Sequence, residues 1–403
     1  MTGALARLSW LGIARETAPG MATLPTAAVP VDVAGYEPQD TPQWLPDTGV
    51  RASMGAVAGI TPGTLGSAHA FSGPLYPDTC GWWLDNLLGD TSTTSAGTLA
   101  GAQPLAAAAN AGDTQFATTA SIGTVTPGSV VQISDGAASE VVTATAGSTG
   151  TSVQCAGTPL RFPHATTATA ALQTAANGYT HTFAVLNSGS GQPPTHTLTD
   201  TTGLTAGTRA RCYPGVCVTE VSLAGDPGGG FATAKVTALG WLSQPAATTP
   251  ATTGFPAVPG FAGWQSTVTI GGAVAYAGQW AATITRQAVI YRSAGGGQNP
   301  FIIARGGVTV TGRLAYPDPA DETPLSQVLS SGPVNARITL TAGAASLTVN
   351  CPSAQFTTAK PDREKIALGY GTTFQATDTA AAAGGSGGTG PATVTLANAT
   401  AVY

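Results

Sequence analysis

Four histidines, five cysteines and a few neighbouring carboxylates are the residues of this chain that could bind a metal, attack a carbonyl or relay a proton. His69, His164, His181 and His196 have neither HxxxH nor HExxH spacing. His181 and His196 each stand between threonines, as residues on a sheet face do. Cys80, Cys155, Cys212, Cys217 and Cys351 are odd in number and scattered. Cys212 and Cys217 enclose Tyr-Pro-Gly-Val, which lacks the CxxC spacing and nearby histidine of a zinc or redox site. They read as buried small hydrophobes in a reducing cytoplasm. Asp318, Asp321 and Glu322 form the tightest acidic cluster. They lack the ligand spacing and distal glutamate of a calcium loop, which makes a solvated loop the expectation. Asp85 and Asp90 are a formal carboxylate pair for glycoside cleavage, yet they flank a short helix and read as its punctuation. No Gly-x-Ser-x-Gly elbow follows a strand and opens a helix, and no Gly-Lys-Ser/Thr phosphate loop is present. The sequence therefore offers no catalytic, cofactor or metal site, and an enzyme is a remote alternative.

The elements that would have to position such residues are also unlike those of most enzymes. Gly (53) and Pro (29) make up about a fifth of 403 residues, and charged residues only 9%, against a usual ~25%. Coiled coils, helical bundles and basic nucleic-acid binders are excluded. An apolar share of 42% with a net charge of −5 argues for folded cores rather than charge-driven disorder. Basic residues do not cluster: Lys360, Arg363 and Lys365 alternate with Asp362 and Glu364, so phosphate-driven affinity is not expected. Arg7 and Arg15 interrupt the N-terminal apolar residues, so no secretory leader is expected. The uncharged stretch between Lys235 and Arg286 holds Pro245, Pro250, Pro256 and Pro259, which makes a membrane helix a poor reading.

Alternation of Val, Thr, Ile and aromatic residues between Gly, Pro, Asn and Asp predicts strands at Tyr179–Leu186, Val216–Leu223, Ala281–Tyr291, Gly307–Leu314 and Ala336–Thr341. Ser188–Gly191 and Asp226–Gly230 read as hairpin connections. Helical spacing is confined to Asp78–Gly89 and Pro324–Ser331. The fold class is all-β with minor short helices. One order of elements occurs twice: a strand, Tyr-Pro-Asp (from Tyr76 and from Tyr316, 240 residues apart), a short helix, a hairpin, and a Cys-then-Pro segment. The expected organisation is a first β-domain from 1–104 with 173–250, and a second at 251–378. A small inserted β-domain falls at 105–172, with successive strands at Thr124–Ser134, Ser139–Thr145 and Thr151–Cys155. A flexible Gly/Ala linker with a C-terminal strand occupies 379–403. Such a strand could pair with a sheet edge of its own chain or of a neighbour.

Several stretches carry a family resemblance. These are Leu11-Gly-Ile-Ala-Arg-Glu-Thr-Ala-Pro-Gly20, Arg51-Ala-Ser-Met-Gly55, and Gly73-Pro-Leu-Tyr-Pro-Asp78 with the Trp-Trp-Leu-Asp-Asn-Leu-Leu-Gly helix. Others are Thr180-His-Thr-Phe183, Tyr213-Pro-Gly-Val-Cys-Val-Thr-Glu-Val-Ser-Leu223 and Gly297-Gln-Asn-Pro-Phe301. With these the chain resembles the tail tube (major tail) proteins of long-tailed bacteriophages, the siphophages, especially those of high-GC actinobacterial hosts. The resemblance covers most of the chain outside the insertion. It implies two tandem tail-tube-like β-sandwich domains, each giving strands to a ring β-barrel, and stacked rings that form a conduit for genome ejection. It implies no reaction and no cofactor. It also implies a virion location, assembly in the host bacterial cytoplasm, contacts with other tail proteins, and transient non-specific passage of double-stranded DNA.

Low charge suits surfaces buried between subunits, and a mildly acidic balance suits a lumen through which DNA slides. Two domains per chain lead to an expected homotrimer with pseudo-sixfold symmetry, a six-chain ring being the alternative. The insertion is expected on the outside of the tube. Trp10, Trp44, Trp82, Trp83 and Phe301 are the candidate inter-subunit contacts, with core packing the competing reading for the tryptophans. The loops at Asp40–Val50 and Ser293–Ile302 are long enough to reach a neighbouring ring. The rival readings are a β-rich adhesin or carbohydrate-binding module, and another virion protein such as a capsid decoration or tail tip.

Overall fold

A computed structural model of the chain describes residues 9–31, 35–51, 54–136, 138–175, 178–202, 209–246, 255–256, 258–295, 297–317, 323–329, 332–362 and 369–403. The acidic cluster Asp318, Asp321 and Glu322, and Arg363, Glu364 and Lys365 of the charged turn, lie outside these residues. Among the described residues the regular structure is almost entirely β, with two short α-helices. Its first part comprises β1 (Trp10–Arg15), β2 (Ala27–Val29), β3 (Tyr36–Asp40), β4 (Trp44–Asp47), β5 (Gly59–Pro62) and β6 (Ser67–Pro74). Helix α1 (Cys80–Leu88) and β7 (Gly89–Ser95) follow. Next come β8 (Thr98–Pro104), β9 (Gln115–Ala117), β10 (Val130–Ser134), β11 (Ser139–Thr143), β12 (Ser152–Gln154) and β13 (Thr169–Ala175). The chain returns through β14 (Tyr179–Val185), β15 (His196–Thr202), β16 (Arg209–Gly225), β17 (Thr233–Gly240) and β18 (Gln244–Pro245). The second part runs β19 (Ser266–Ile270), β20 (Ala273–Ala275), β21 (Gln279–Tyr291), β22 (Ile302–Tyr316), α2 (Thr323–Leu329), β23 (Val334–Ala342), β24 (Ala345–Asp362) and β25 (Gly369–Ala376). It closes with β26 (Thr393–Asn398). The strands expected from alternation lie within β14, β16, β21, β22 and β23, to within one residue at the end of β14.

Pairing in the two parts follows one plan. In the first, β2 pairs with β1, β1 with β15, and β15 with the opening half of β16. The closing half of β16 pairs with β17, β17 with β6, and β6 with β3. In the second, β20 pairs with β19, β19 with β23, and β23 with the opening half of β24. The closing half of β24 pairs with β25, β25 with β22, and β22 with β21. Both long strands thus pass from one set of partner strands to another, and both do so through the same two bulges. On β16 the extra residues fall at Pro214-Gly215 and at Thr219; on β24 they fall at Pro352-Ser353 and at Thr357, a constant offset of 138. The second bulge is closed alike in each. The Thr219 hydroxyl donates to the Thr237 carbonyl at 3.2 Å and meets its hydroxyl at 3.1 Å. Thr357 does the same with Thr373 at 3.2 and 2.9 Å. A bulge bends and twists its strand, which lets one strand serve two layers. The Tyr-Pro-Asp letters are a looser guide: Tyr316 ends β22, whereas Tyr76 lies beyond the end of β6.

A large apolar cluster fills the space between the layers. Phe71 of β6 stacks on Trp83 of α1 with ring centroids 4.5 Å apart, and Val236, Leu223, Ile284, Leu314 and Phe374 lie on the same side of their strands. Helix α1 stops where expected, because Gly89 adopts φ 86°, open to glycine at little cost. β8, β13, β10 and β11 form a separate sheet, and Leu105, Phe116, Ile122, Val131, Ile133 and Leu160 belong to a second apolar cluster. Ser188–Gly191 is not a hairpin turn: β14 pairs with β7 and β26, whereas β15 pairs with β1 and β16. The loop carries the chain from one sheet to another, and distant strands outcompete the neighbour in sequence. The stretch expected as a linker holds a 3-10 turn at Ala380–Ala382. It is tied down by Asn187, whose amide donates to the carbonyls of Gly387 and Thr389, and by Asp90, which accepts from Ser386. β26 then pairs with β14 and β24 of its own chain.

Candidate assembly interface

The closing half of β16 has a second partner besides β17. It pairs antiparallel with β21, Glu220 opposite Thr285 through Gly225 opposite Trp280. This junction fuses the two parts into one run of eight strands, β3-β6-β17-β16-β21-β22-β25-β24. Among the described residues no sheet closes on itself into a barrel, so the run ends at two open edges. Among the described residues, one is β3, which pairs only with β6; the other is the closing half of β24, which beyond Ala354 pairs only with β25. An open edge carries unpaired N–H and C=O groups and is a template for another strand.

Alternation divides this sheet into an apolar face and a polar one. Tyr36, Phe71, Val236, Val221, Ile284, Val310, Leu314 and Phe374 point to the core. Across the opposite face run hydroxyl and small side chains, including Ser72, Thr237, Ser222, Thr283, Thr311 and Thr373. Ser222 and Thr283 bond across the junction at 2.9 Å. Among the described side chains, the charges on that face are Glu37 and Glu220 against Lys235, Arg313 and Lys360. The acidic excess of the whole chain is therefore not concentrated on this face.

Buried ionic groups lock the junction from behind. Arg286 of β21 donates to the carbonyls of Leu87 (2.9 Å), Gly191 (2.8 Å) and Gly306 (3.0 Å); Arg305 of β22 donates to those of Asn86 (2.7 Å) and Pro193. The last carbonyls of α1, left without helical donors, are thus capped by cations from the second part. Burial lowers both guanidinium pKa values, that of Arg286 to about 10. Asn86 pins the crossing of β16, donating to the Val216 carbonyl (2.9 Å) and accepting from the Val218 N–H (2.7 Å). Glu16 accepts from Thr195 and Thr197 hydroxyls and from the Gly215 N–H, all at 2.7 Å.

Residues that could have done chemistry serve these networks. Asp85 is fully buried, bonded to Thr91 (2.6 Å) and paired with Arg161. Burial pushes its pKa up, but Arg161 and Arg15 together bring it below the ordinary value. Asp90 binds Ser386, and burial raises its pKa. The five cysteines are buried and unpaired. Among the described residues no three His, Cys, Asp or Glu side chains gather into a metal-binding group, and no helix is long and apolar enough to cross a membrane.

The expected contact residues separate into three groups. Trp82 and Trp83 are 6% and 5% exposed in the core, with little surface to offer a neighbour; Trp10 is half-buried at the start of β1. Trp44 and Phe301 are 58% and 67% exposed. The β4–β5 hairpin carrying Trp44 and the β21–β22 arm carrying Phe301 lie together: Arg292 donates to the Leu65 carbonyl (3.0 Å) and Gln298 to that of Gly63 (2.9 Å). With Leu45, Ile60 and Tyr291 they form an exposed apolar projection. The open edges themselves escaped the sequence reading. β3 is short and holds Pro38, which masks its alternation, and an edge is defined by a partner's absence. The paired threonines Thr219 and Thr357 were the available signal.

No curated protein matches the sequence. The phage tail tube protein family matches it over residues 7–400. Tail tube proteins are structural and oligomerise, which is what a chain with a bonded but unclosed sheet and no gathered reactive groups is suited to. This chain belongs to the phage tail tube protein family and is a structural, non-enzymatic component of the virion tail.

Proposed function

We propose that three copies close their eight-stranded runs into a ring, and that rings stack into the hollow conduit for genome ejection. The repeated pairing plan carries this reading: the chain is two tandem tube-like β-sandwich domains, 1–104 with 173–250 and 251–378, already joined as two ring positions. Strand spacing and tilt decide the number of copies. Eight strands from each of three chains give a backbone barrel on the order of 50 Å across, and a channel of roughly 40 Å after side chains, enough for one double helix. Six chains would open it to about twice that width.

The polar face then lines the channel. Its hydroxyls and nearly balanced charges give DNA no phosphate-binding stripe to stick to. The inserted β-domain, 105–172, lies on the exterior. It rests against α1 and β7 through Arg161–Asp85 and Ser92–Ser139 contacts, on the core side of the sheet. Trp44 and Phe301 contact the next ring, and Trp10 contacts a neighbour in the same ring. Five buried, unpaired cysteines fit assembly in the host cytoplasm. Cryo-EM of assembled protein tests the reading: three chains per ring around a channel lined by Thr283 and Thr311 is the expected image. A ring of six whole chains, or a barrel built from one half only, overturns it.

A further inference from the structure

The intramolecular junction specifies the intermolecular one. Within the chain, the closing half of β16 pairs with β21. By pairing plan and bulges, β24 is the counterpart of β16, and β21 is the counterpart of β3: Trp280 and Tyr36 stand at the same point of the ladder, opposite Leu314 and Phe71. The chain therefore displays a bonded copy of an interface whose two halves it also presents unbonded, β3 at one edge and the end of β24 at the other. Helix α2 lies against β24 and α1 against β16, and α1 leaves the β16 edge free to bind β21.

We propose that the closing half of β24 pairs antiparallel with β3 of a second copy of this chain, in the register inherited from β16–β21. Carrying that register across the 138-residue offset of the long strands places Thr358 opposite the partner's Thr41. Lys360 then faces the partner's Gln39, and Pro361 faces the partner's Pro38. The inference rests on the ring reading above and adds to it which strands meet and on which rungs.

Two features of the edges select this register. Proline sits at a sheet edge with its missing donor turned outward. Pro38 and Pro361 fall on the same rung, so the two missing donors coincide and the other rungs stay whole; a slip of two residues would spread the same two gaps over two rungs. A slip of one residue is excluded because it would turn polar residues to the core side. The neighbouring rung, Lys360 with Gln39, is then a non-hydrogen-bonded pair, where facing side chains are closest. Lys360 also comes diagonally beside the partner's Glu37, and both are exposed in the single chain.

Paired cysteines read the register directly. A chain carrying Gln39→Cys and Lys360→Cys, assembled and oxidised, is expected to run as a covalent closed ring on a non-reducing gel. Each single variant is expected to stay monomeric there, since the native cysteines are buried. The pair Thr41→Cys with Lys360→Cys, one diagonal away, is expected to cross-link at least tenfold less. Should substitution prevent assembly, hydrogen exchange on the unmodified chain replaces it: the non-proline amides within residues 36–40 and 358–362 are expected to gain protection on assembly. Tubes in micrographs with no cross-link, stronger linkage of the diagonal pair, or unprotected edge amides overturn the inference and leave the tube reading standing. Absence of any ring from the unmodified chain overturns both.

Discussion

Gly312 of β22 shows how closely single residues are fitted in the junction. A Cβ there would lie 2.0 Å from Cζ of Phe374, the ring that covers it from β25, and neither atom has room to retreat in a packed core. Gly312→Ala is expected to destabilise the unassembled chain by about 1–3 kcal/mol, the usual cost of overpacking. Gly59→Ala, where a Cβ meets nothing within 4 Å, is expected to change it little. Urea titration of the two variants side by side measures this, and equal midpoints would contradict it.

Histidines give a second prediction at this scale. The Nε2–H of His181 donates to the Thr400 carbonyl (2.8 Å), so its Nδ1 accepts from the Thr93 hydroxyl (2.9 Å). His196 Nδ1 accepts from the Asn86 amide at 2.7 Å. Burial lowers the pKa of His69 and His181 to about 4 and that of His196 to about 3. The unfolded chain binds these protons near pH 6.5 and the folded chain does not. Their contribution is therefore complete above that value and is lost as pH falls from about 6.5 toward 4. Each histidine costs up to about 1.4 kcal/mol per pH unit in that window. His164 acts in the opposite sense. Burial pulls its pKa down, but bonding to Glu140 and the charges of Glu140 and Asp135 raise it overall, so its stabilisation fades with rising pH. Denaturation midpoints across pH 4–8 are expected to fall on the acid side, and His181→Gln, which keeps a donor and an acceptor, to flatten the slope by about one proton.

Among elements, α1 depends most on residues far from it in sequence. Its last turn has no basic residue of its own, and Arg305, more than two hundred positions later, caps it. Arg305→Met keeps the apolar stem but leaves the Asn86 and Pro193 carbonyls unpaired in the core. A loss of about 2–4 kcal/mol is expected. Arg305→Lys is expected to recover only part, because one ammonium cannot reproduce the fork. Chemical denaturation with an unchanged slope and a lower midpoint is the check. This clamp also marks where sequence reading stops. Helix α1, its glycine stop and the strands from Tyr179 onward were legible because local spacing and punctuation encode them. The repeated order of elements was legible only in part: a strand, a short helix and a Cys-then-Pro segment recur, but the hairpin expected from Tyr179 to match that from Ala336 is absent, because β15 and not β14 stands where β23 does. The capping role of Arg286 was hidden inside an alternating strand, and the true partners of β14 were hidden because β7 and β26 lie on either side of it at long range. Contacts of that range leave no periodic trace.

For the whole molecule, the inserted segment offers the most decisive test of how the parts depend on one another. β7 and β14 are an antiparallel pair, Ser95 opposite Tyr179, and the Ala96 N–H already bonds the Gly178 carbonyl at 3.0 Å. The insertion therefore leaves and re-enters the body at the end of a formed hairpin, and an Asn-Gly turn in place of residues 97–177 would close it. That deletion severs the Ser92–Ser139 and Ser95–Gln132 bonds to β7 and, at greater cost, removes Arg161, which neutralises the buried Asp85. Without it the carboxylate keeps its burial cost and loses its nearest cation, so the deletion alone is expected to destabilise the chain by roughly 3–5 kcal/mol and to assemble poorly. Adding Asp85→Asn removes the uncompensated charge while an amide can still accept from Thr91. The double variant is expected to regain most of that loss and to form tubes of unchanged channel width and smaller outer diameter. Class averages of the two variants measure both diameters. A wider channel would place the insertion inside the conduit, and rescue by deletion alone would show that the Arg161–Asp85 pair carries no load.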